Sequence, residues 1–159
     1  YSSEKLQVLG RTLGADVPIF IYGKSAWAEG IGDLFIPMTP VERAYELIIP
    51  SISISTQKVF QFPELSRNNP LLEKTDHPDY LNDCTSAIYS LYPQMKRYMD
   101  ALTQMNLSPK ITGTGSCIYI NVPTAQQRLM LNAFLEQEGL QHYSFTTLNS
   151  SPYQPKALI

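Results

Sequence analysis

The segment Leu13-Gly14-Ala15-Asp16-Val17-Pro18-Ile19-Phe20 places one carboxylate between a glycine and a proline, with apolar residues on both sides. Gly14 permits a tight backbone turn before the carboxylate. Asp16 suits the N-cap of a short helix, since Pro18 then falls in the first turn, where its missing N–H is tolerated. The pattern leaves two roles open for Asp16: a helix cap, or a carboxylate that a helix start presents to a cleft as a general base.

The residues on either side of this segment predict a helix and a hairpin. Leu6, Leu9 and Leu13 recur at helical spacing as one apolar stripe, and Gly14 ends that helix. The run 19–22 fits a strand by its alternation, or a short helix by the aspartate and proline before it. Two β-capable runs, residues 25–29 and 33–38, flank a Gly-Ile-Gly turn and predict a hairpin.

We place a domain boundary between residues 1–42 and residues 43–159. In the second domain the predicted order is strand, helices, strand, strand, helix, strand. That is the order of the split βαβ, or ferredoxin-like, arrangement, in which an antiparallel sheet carries helices on one face. The expected fold class is therefore α+β. The predicted strands are residues 45–49, 110–112, 116–122 and 143–148.

Four helices are predicted in this second domain, and the polar segment 63–79 is predicted to be a loop. Thr124 caps the last helix and Gly139 ends it. Leu129, Ala133 and Leu140 are expected near its apolar face. The other three helices begin at Ser55 or Thr56, at Asn82 or Asp83, and at Pro93, and run to Phe60, Tyr92 and about Leu107.

Two further segments are candidates for binding. The glycines of Gly113-Thr114-Gly115 lie between two strands, where they form either a simple hairpin turn or a nest of backbone N–H groups for an anion. Thr56 and Phe60 are read by default as a helix start with one core aromatic. Composition favours neither nucleic acid nor an anionic membrane, because the net charge is −2 and no basic cluster stands out.

Five motifs keep a fixed order along nearly the whole chain: Leu-Gly-Ala-Asp-Val-Pro at 13–18, Ala-Glu-Gly-Ile-Gly at 28–32, Phe-Pro-Glu-Leu-Ser-Arg-Asn at 62–68, Asn-Asp-Cys at 82–84 and Gly-Thr-Gly-Ser-Cys at 113–117. Together they resemble motifs of the GHMP kinase superfamily. Within the superfamily they are most similar to enzymes of the non-mevalonate isoprenoid route that act on a cytidyl diphosphate methylerythritol.

The resemblance implies a role for each candidate residue. Asp16 would remove or orient the proton of the substrate hydroxyl, which then attacks the γ-phosphate of ATP, with Mg²⁺ as cofactor. The loop formed by Gly113, Thr114 and Gly115 would lie beside the phosphates. Thr56 and Phe60 would face the small-molecule substrate, with Phe60 stacked on cytosine. No residue is assigned as a direct metal ligand.

The resemblance also implies that part of the protein is missing here. The chain begins at Tyr1, and it lacks the glycine- and serine-rich loop with which these kinases bind ATP phosphates. We therefore expect a fragment with little kinase activity of its own, whose partner is the N-terminal half of the same protein. Residues 1–42 would be the end of the ATP-binding domain and residues 43–159 the substrate-side domain. Two widely spaced cysteines suggest free thiols in the cytoplasm.

Two other functions stay open on the sequence alone. One is a non-catalytic ferredoxin-like module that binds a small ligand or a protein. The other is a GHMP kinase with a different small alcohol as substrate, such as homoserine or mevalonate. A phosphate-binding loop upstream of the chain would favour the kinase, and its absence would favour the module.

Overall fold

The computed structural model describes residues 1–67, 82–121 and 124–153. These form two compact units, and within the described ranges the first contains residues 1–42 and 147–153. The sequence had assigned residues 147–153 to the second domain. They join the first unit because Asn149 is tied to it: its amide N–H donates to Glu42 (2.8 Å) and its carbonyl accepts from the N–H of Ser25 (3.0 Å).

The first unit begins with two short helices, α1 (Ser3–Leu13) and α2 (Val17–Tyr22). They pack where α1 has Gly10, its one buried residue: a Cβ there would lie 2.7 Å from Cδ1 of Ile21 and 2.9 Å from Cγ1 of Val17. The helical choice for residues 19–22 is thus the observed one. Gly14 is extended (φ 170°, ψ 153°), so its backbone does not require glycine.

The predicted apolar stripe of α1 is not where this helix is buried. Leu6, Leu9 and Leu13 are 38%, 50% and 82% exposed. Instead, α2 packs against the glycine side of α1, where the absence of a side chain permits the closest contact.

The predicted hairpin is confirmed. Strands β1 (Ala26–Glu29) and β2 (Leu34–Pro37) pair antiparallel, from Ala26 opposite Pro37 to Glu29 opposite Leu34. Gly30 in the turn has φ +69°, a value that favours glycine. An ion pair between Arg11 and Asp33 (2.7 Å) joins α1 to this turn.

The second unit holds a four-stranded antiparallel sheet in the order β4-β5-β3-β6. The strands are β3 (Ala44–Ile49), β4 (Lys110–Ile111), β5 (Ile118–Asn121) and β6 (Gln141–Thr146). The predicted ferredoxin-like order is confirmed, since the first and third strands of the motif lie side by side at the centre and the second and fourth lie at the edges.

One face of this sheet forms the core with the helices. Ile48, Ile118 and Ile120 point to that face and are buried against apolar residues of the helices, among them Ile88, Met95 and Leu102.

The helices of the second unit are α3 (Thr56–Phe60), α4 (Thr85–Leu91), α5 (Pro93–Gln104) and α6 (Ala125–Glu138). Helix α4 begins after Asn82 and Asp83, and α5 ends before Leu107. Across the described ranges, every helix is too short or too polar to cross a membrane.

The caps of α6 are confirmed, but its predicted buried face is wrong. Thr124 and Gln127 form a reciprocal capping box, and Gly139 ends the helix with φ +63°. The buried residues are Leu131 and Leu135, whereas Leu129 is 73% exposed and Ala133 is exposed. Apolar residues occur on several sides of α6, so helical spacing alone did not define which side meets the sheet. Leu140 is buried, but it lies beyond the helix end.

The predicted loop at 63–79 lies in part outside the described residues.

Glu46 is a charged residue buried in the core of the second unit, on the face of β3 that meets the helices. Its carboxylate accepts from Ser144 (2.8 Å) and lies 2.6 Å from Nδ1 of His142, both on β6, and 3.4 Å from Nη1 of Arg128 on α6. Burial raises the pKa of Glu46, but the hydrogen bonds from His142 and Ser144 and the charge of Arg128 outweigh it and lower the pKa below its ordinary value of 4.5.

We expect Glu46→Gln to lower the free energy of unfolding of the 159-residue chain at pH 7 by roughly 1.5–3 kcal/mol, the range for hydrogen bonds to charged groups. Because the folded pKa of Glu46 lies below the unfolded one, the stabilisation is complete above about pH 4.5 and is lost as the pH falls through the folded value. The difference between the two proteins should therefore shrink below that pH. Urea denaturation followed by circular dichroism at several pH values measures it.

Glu136→Gln is the matched control, since Glu136 is an exposed carboxylate on α6. It should change stability by no more than about 0.5 kcal/mol at any pH. A Glu46→Gln loss that is the same at pH 7 and pH 3.5 would contradict the assignment of this stabilisation to the ionised carboxylate.

Candidate functional site

Asp16 lies at the N-cap position of α2, in the first unit. Its backbone is αR (φ −86°, ψ −10°), and its carboxylate makes no capping hydrogen bond. The side chain is exposed, and within the described chain it has no hydrogen-bond or ion-pair partner. Pro18 is buried in the first turn, as predicted. The backbone of Asp16 is therefore placed at a helix start, and its carboxylate is exposed to a ligand.

Thr56 and Thr114 are brought together in the second unit. Ser55 caps α3 by accepting from the N–H of Lys58 (3.3 Å), so the hydroxyl of Thr56 is not used as the cap. It lies 3.0 Å from the hydroxyl of Thr114. Two residues that were predicted from separate parts of the sequence thus meet at one place.

The glycine loop between β4 and β5 has a fixed backbone. The N–H of Gly115 donates to Thr112 (2.8 Å), and the N–H of Thr112 donates to Cys117 (2.9 Å). The hydroxyl of Ser116 donates to the carbonyl of Pro50 (3.1 Å), at the end of β3. These hydrogen bonds fix the loop to the end of the sheet, so it is not a free turn.

Both glycines of the loop have positive φ, +48° at Gly113 and +87° at Gly115. A Cβ on Gly115 would lie 2.8 Å from Cδ1 of Ile54, whereas one on Gly113 would meet nothing within 4 Å. In the described ranges, the N–H groups of Gly113 and Thr114 have no hydrogen-bond acceptor. They are open to an acceptor oxygen, which is the property expected of an anion-binding loop.

Asn82, predicted from the sequence as a helix start, also supports this loop. Its carboxamide nitrogen donates to the carbonyls of Ile111 (3.1 Å) and Gly113 (2.7 Å). Its side-chain oxygen accepts from the N–H of Cys84 (3.0 Å). No local pattern could have revealed this role, since Gly113 is 31 residues away along the chain.

Phe60 is the last residue of α3, and its side chain is 55% exposed, whereas the adjacent Val59 is buried. The default reading of Phe60 as a core aromatic is therefore wrong. The guanidinium of Arg67 donates to the carbonyls of Phe60 (2.6 Å) and Leu65 (3.2 Å). The bonds from Arg67 hold the end of α3 and leave the Phe60 ring open to a planar partner.

A cleft of about 530 Å³ adjoins the glycine loop, between α4, α5 and β4. Burial raises the pKa of the Tyr89 phenol in this cleft, and the charge of Asp100 raises it further, against a smaller opposite effect of Lys96. Burial also raises the pKa of the nearby Cys84 thiol, with a contribution from Asp83. Both groups are thus held in their neutral forms. In the part of the chain that the structure describes, no three His, Cys, Asp or Glu side chains form a metal cluster.

The loop predicts a difference between its two glycines. Gly113→Ala should lower the free energy of unfolding by about 1–2 kcal/mol, because a left-handed backbone is unfavourable for alanine. Gly115→Ala should lower it further, since the new Cβ must also displace Ile54. Chemical denaturation of the two variants side by side measures the difference. Equal losses, or a larger loss for Gly113→Ala, would show that the loop is not held against Ile54.

Comparison with known proteins gives consistent relatives. No protein-family model matches the chain. A 4-diphosphocytidyl-2-C-methyl-D-erythritol kinase of Shewanella frigidimarina is 39% identical over 96% of the chain and 53% of the relative. Kinases of the same name from Aliivibrio fischeri strain MJ11 and Pseudomonas fluorescens strain Pf0-1 are 44% and 34% identical over 74% and 86% of the chain, and over 41% and 49% of their own lengths.

A solved structure agrees with these relatives. The crystal structure of a 4-(cytidine 5'-diphospho)-2C-methyl-D-erythritol kinase superposes with a TM-score of 0.70 at 25% identity, over 89% of this chain and 56% of that one. The chain spans about half the length of the curated relatives that it matches. It belongs to the family of the 4-diphosphocytidyl-2-C-methyl-D-erythritol kinases.

Proposed function

We propose that the protein to which this chain belongs transfers the γ-phosphate of ATP to the 2-hydroxyl of 4-diphosphocytidyl-2-C-methyl-D-erythritol, in the non-mevalonate route to isoprenoids. The observation that carries the proposal is the similarity to kinases of that name over up to 96% of the chain. The non-catalytic module is not favoured, since the relatives named here are all kinases.

Asp16 is the proposed base. Phosphoryl transfer needs an aligned acceptor hydroxyl and a group to take or orient its proton. The Asp16 carboxylate is suited to that role because it is exposed at a helix start, with no partner in the described chain to compete for its oxygens.

The glycine loop is the proposed binding element for phosphate. The N–H groups of Gly113 and Thr114 are open to acceptor oxygens in the described chain, and Gly115 keeps its left-handed backbone beside Ile54. The hydroxyl of Thr114, paired with Thr56, adds a donor close to these amides. Such fixed donors stabilise negative charge without having to reorganise during transfer.

Phe60 is the proposed platform for the cytosine ring, with Thr56 at the start of the same helix. An aromatic side chain that is half exposed and held at its backbone by Arg67 is available to stack on a base. Stacking of this kind contributes about 1–3 kcal/mol per base. Thr56 would contact the same substrate through its hydroxyl.

The remaining parts of the proposal concern partners and location. Mg²⁺ would be held chiefly by the phosphates of ATP, as is usual for this ion, and would neutralise their charge. Residues 1–42 would complete an ATP-binding domain together with an N-terminal half of the same protein, and residues from 43 onward would form the substrate side. The exposed leucines of α1 would suit contact with that half.

We place the protein in the cytoplasm, the usual setting of free thiols such as Cys84 and Cys117.

The role of Asp16 is tested with Asp16→Asn in the full-length protein. The amide keeps the size of the side chain but cannot take a proton at neutral pH, so kcat should fall by about 100-fold or more, the contribution of general base catalysis. The assay follows phosphate transfer from ATP and Mg²⁺ to the cytidyl substrate. The isolated 159-residue chain should show little or no turnover beside it.

Unchanged turnover in Asp16→Asn would support the proposed kinase activity and contradict the proposed role of Asp16 as its base. No turnover in the unaltered full-length protein would instead overturn the proposed function. A non-catalytic ferredoxin-like binding module would then be the favoured function.

The role of Phe60 is tested by comparing two Michaelis constants. Phe60→Ala should raise the KM for the cytidyl substrate by about 5- to 100-fold, since stacking on one base is lost, and should leave the KM for ATP nearly unchanged. Leu129→Ala is a matched control, because Leu129 is another exposed apolar side chain on a helix of the same unit. Equal effects on both constants would contradict a cytosine platform.

A further inference from the structure

We propose that Asn82 is a positioning residue for the phosphate-binding loop, which it acts on by fixing the orientation of the peptide between Gly113 and Thr114. The inference rests on the proposed function of that loop. It assigns to Asn82 a specific task, which is to keep the N–H of Thr114 directed toward the ligand side.

The hydrogen bond from Asn82 to the carbonyl of Gly113 sets the direction of the next N–H in the loop. The side-chain nitrogen of Asn82 donates to the carbonyl of Gly113 at 2.7 Å. A trans peptide is planar, so its C=O and the following N–H point in opposite directions. By holding the carbonyl of Gly113, Asn82 therefore turns the N–H of Thr114 away from itself. This is one of the two loop amides without an acceptor in the described chain.

The glycine makes this support necessary. Gly113 has φ +48°, and a Cβ on it would meet nothing within 4 Å, so side-chain packing at this residue does not set the orientation of the peptide. The next donor bond of Asn82, to Ile111 (3.1 Å), anchors the carboxamide to the end of β4. Asn82 thus connects the loop to a strand that pairs with the rest of the sheet.

A role as helix cap does not account for these contacts. Helix α4 begins at Thr85 with Cys84 at its N-cap position. The contact of Asn82 with this helix start is made by its side-chain oxygen, which accepts from the N–H of Cys84. Both donors of the carboxamide are used on the loop side. The side-chain nitrogen of Asn82 therefore holds the loop, and its side-chain oxygen contacts the start of α4. A substitution that changes only the nitrogen can test the first contact without removing the second.

Asn82→Asp makes that separation. It keeps an oxygen for the N–H of Cys84, and aspartate is as good as asparagine at helix starts. It replaces the donor by a carboxylate oxygen that repels the carbonyl of Gly113 and attracts the N–H of Thr114, so the peptide should flip. Gln94→Glu is the matched control: it makes the same amide-to-acid change on α5, where Gln94 donates to Tyr98.

Two measurements test the inference. In the 159-residue chain, the amide resonance of Thr114 should move in Asn82→Asp and return as the pH is lowered, because the protonated acid regains one donor. In the full-length protein, kcat/KM should fall at least about 10-fold, the loss of one hydrogen bond to a charged group, while the melting temperature stays within about 2 °C. The activity relative to the unaltered protein should recover at low pH. Gln94→Glu should change neither the resonance nor the activity.

The outcomes distinguish this inference from the proposed function. An unmoved Thr114 resonance overturns the inference, whatever the activity. A moved resonance with unaltered kcat/KM also overturns it, because the peptide orientation would then not matter to the reaction. Failure of the unaltered full-length protein to transfer phosphate overturns the proposed function, and the resonance still decides whether Asn82 holds the peptide.

Discussion

The carboxylate of Glu46 is the constraint on which the second unit depends. A charge buried in a core has to be matched by donors, and here β6 supplies two and α6 one. A shift of β3 by one residue would turn Glu46 to the opposite face of the sheet and bring Tyr45 or Leu47 into its place. The requirement for partners therefore favours one register, in which Glu46 lies opposite Ser144 on one side and Ile120 on the other.

That register carries through to the candidate site. Ile48 lies opposite Ile118, and Pro50 follows the end of β3, where its carbonyl accepts a hydrogen bond from the hydroxyl of Ser116. The glycine loop is thereby fixed at one end by the sheet. Asn82 fixes it at the other end, and the hydroxyl of Thr56 meets it from α3. The backbone of the two glycines is therefore fixed by residues from three different segments of the chain.

The sequence could predict what depends on short-range chemistry. The hairpin about Gly30, the cap at Thr124 and the strand order of the second unit all follow from turn residues, capping residues and alternation. The buried faces of α1 and α6 did not follow, because each depends on which neighbour approaches. Gly10 is buried against α2, while the more apolar Leu13 is exposed. Among the site residues, Asp16 and the glycine loop were visible as motifs, whereas the function inferred for Asn82 exists only after folding brings it to Gly113.

The proposed base and the proposed phosphate-binding loop differ in how the fold holds them. Asp16 has its backbone placed by the start of α2, and its carboxylate is held by no bond in the described chain. The loop amides are held in a network of backbone and side-chain bonds. A base has to exchange a proton and benefits from a free carboxylate, whereas donors for a phosphate act best when they are fixed beforehand. Under the proposed roles, substitutions that disturb packing in the second unit should therefore affect the reaction mainly through the loop, since Asp16 lies in the first unit.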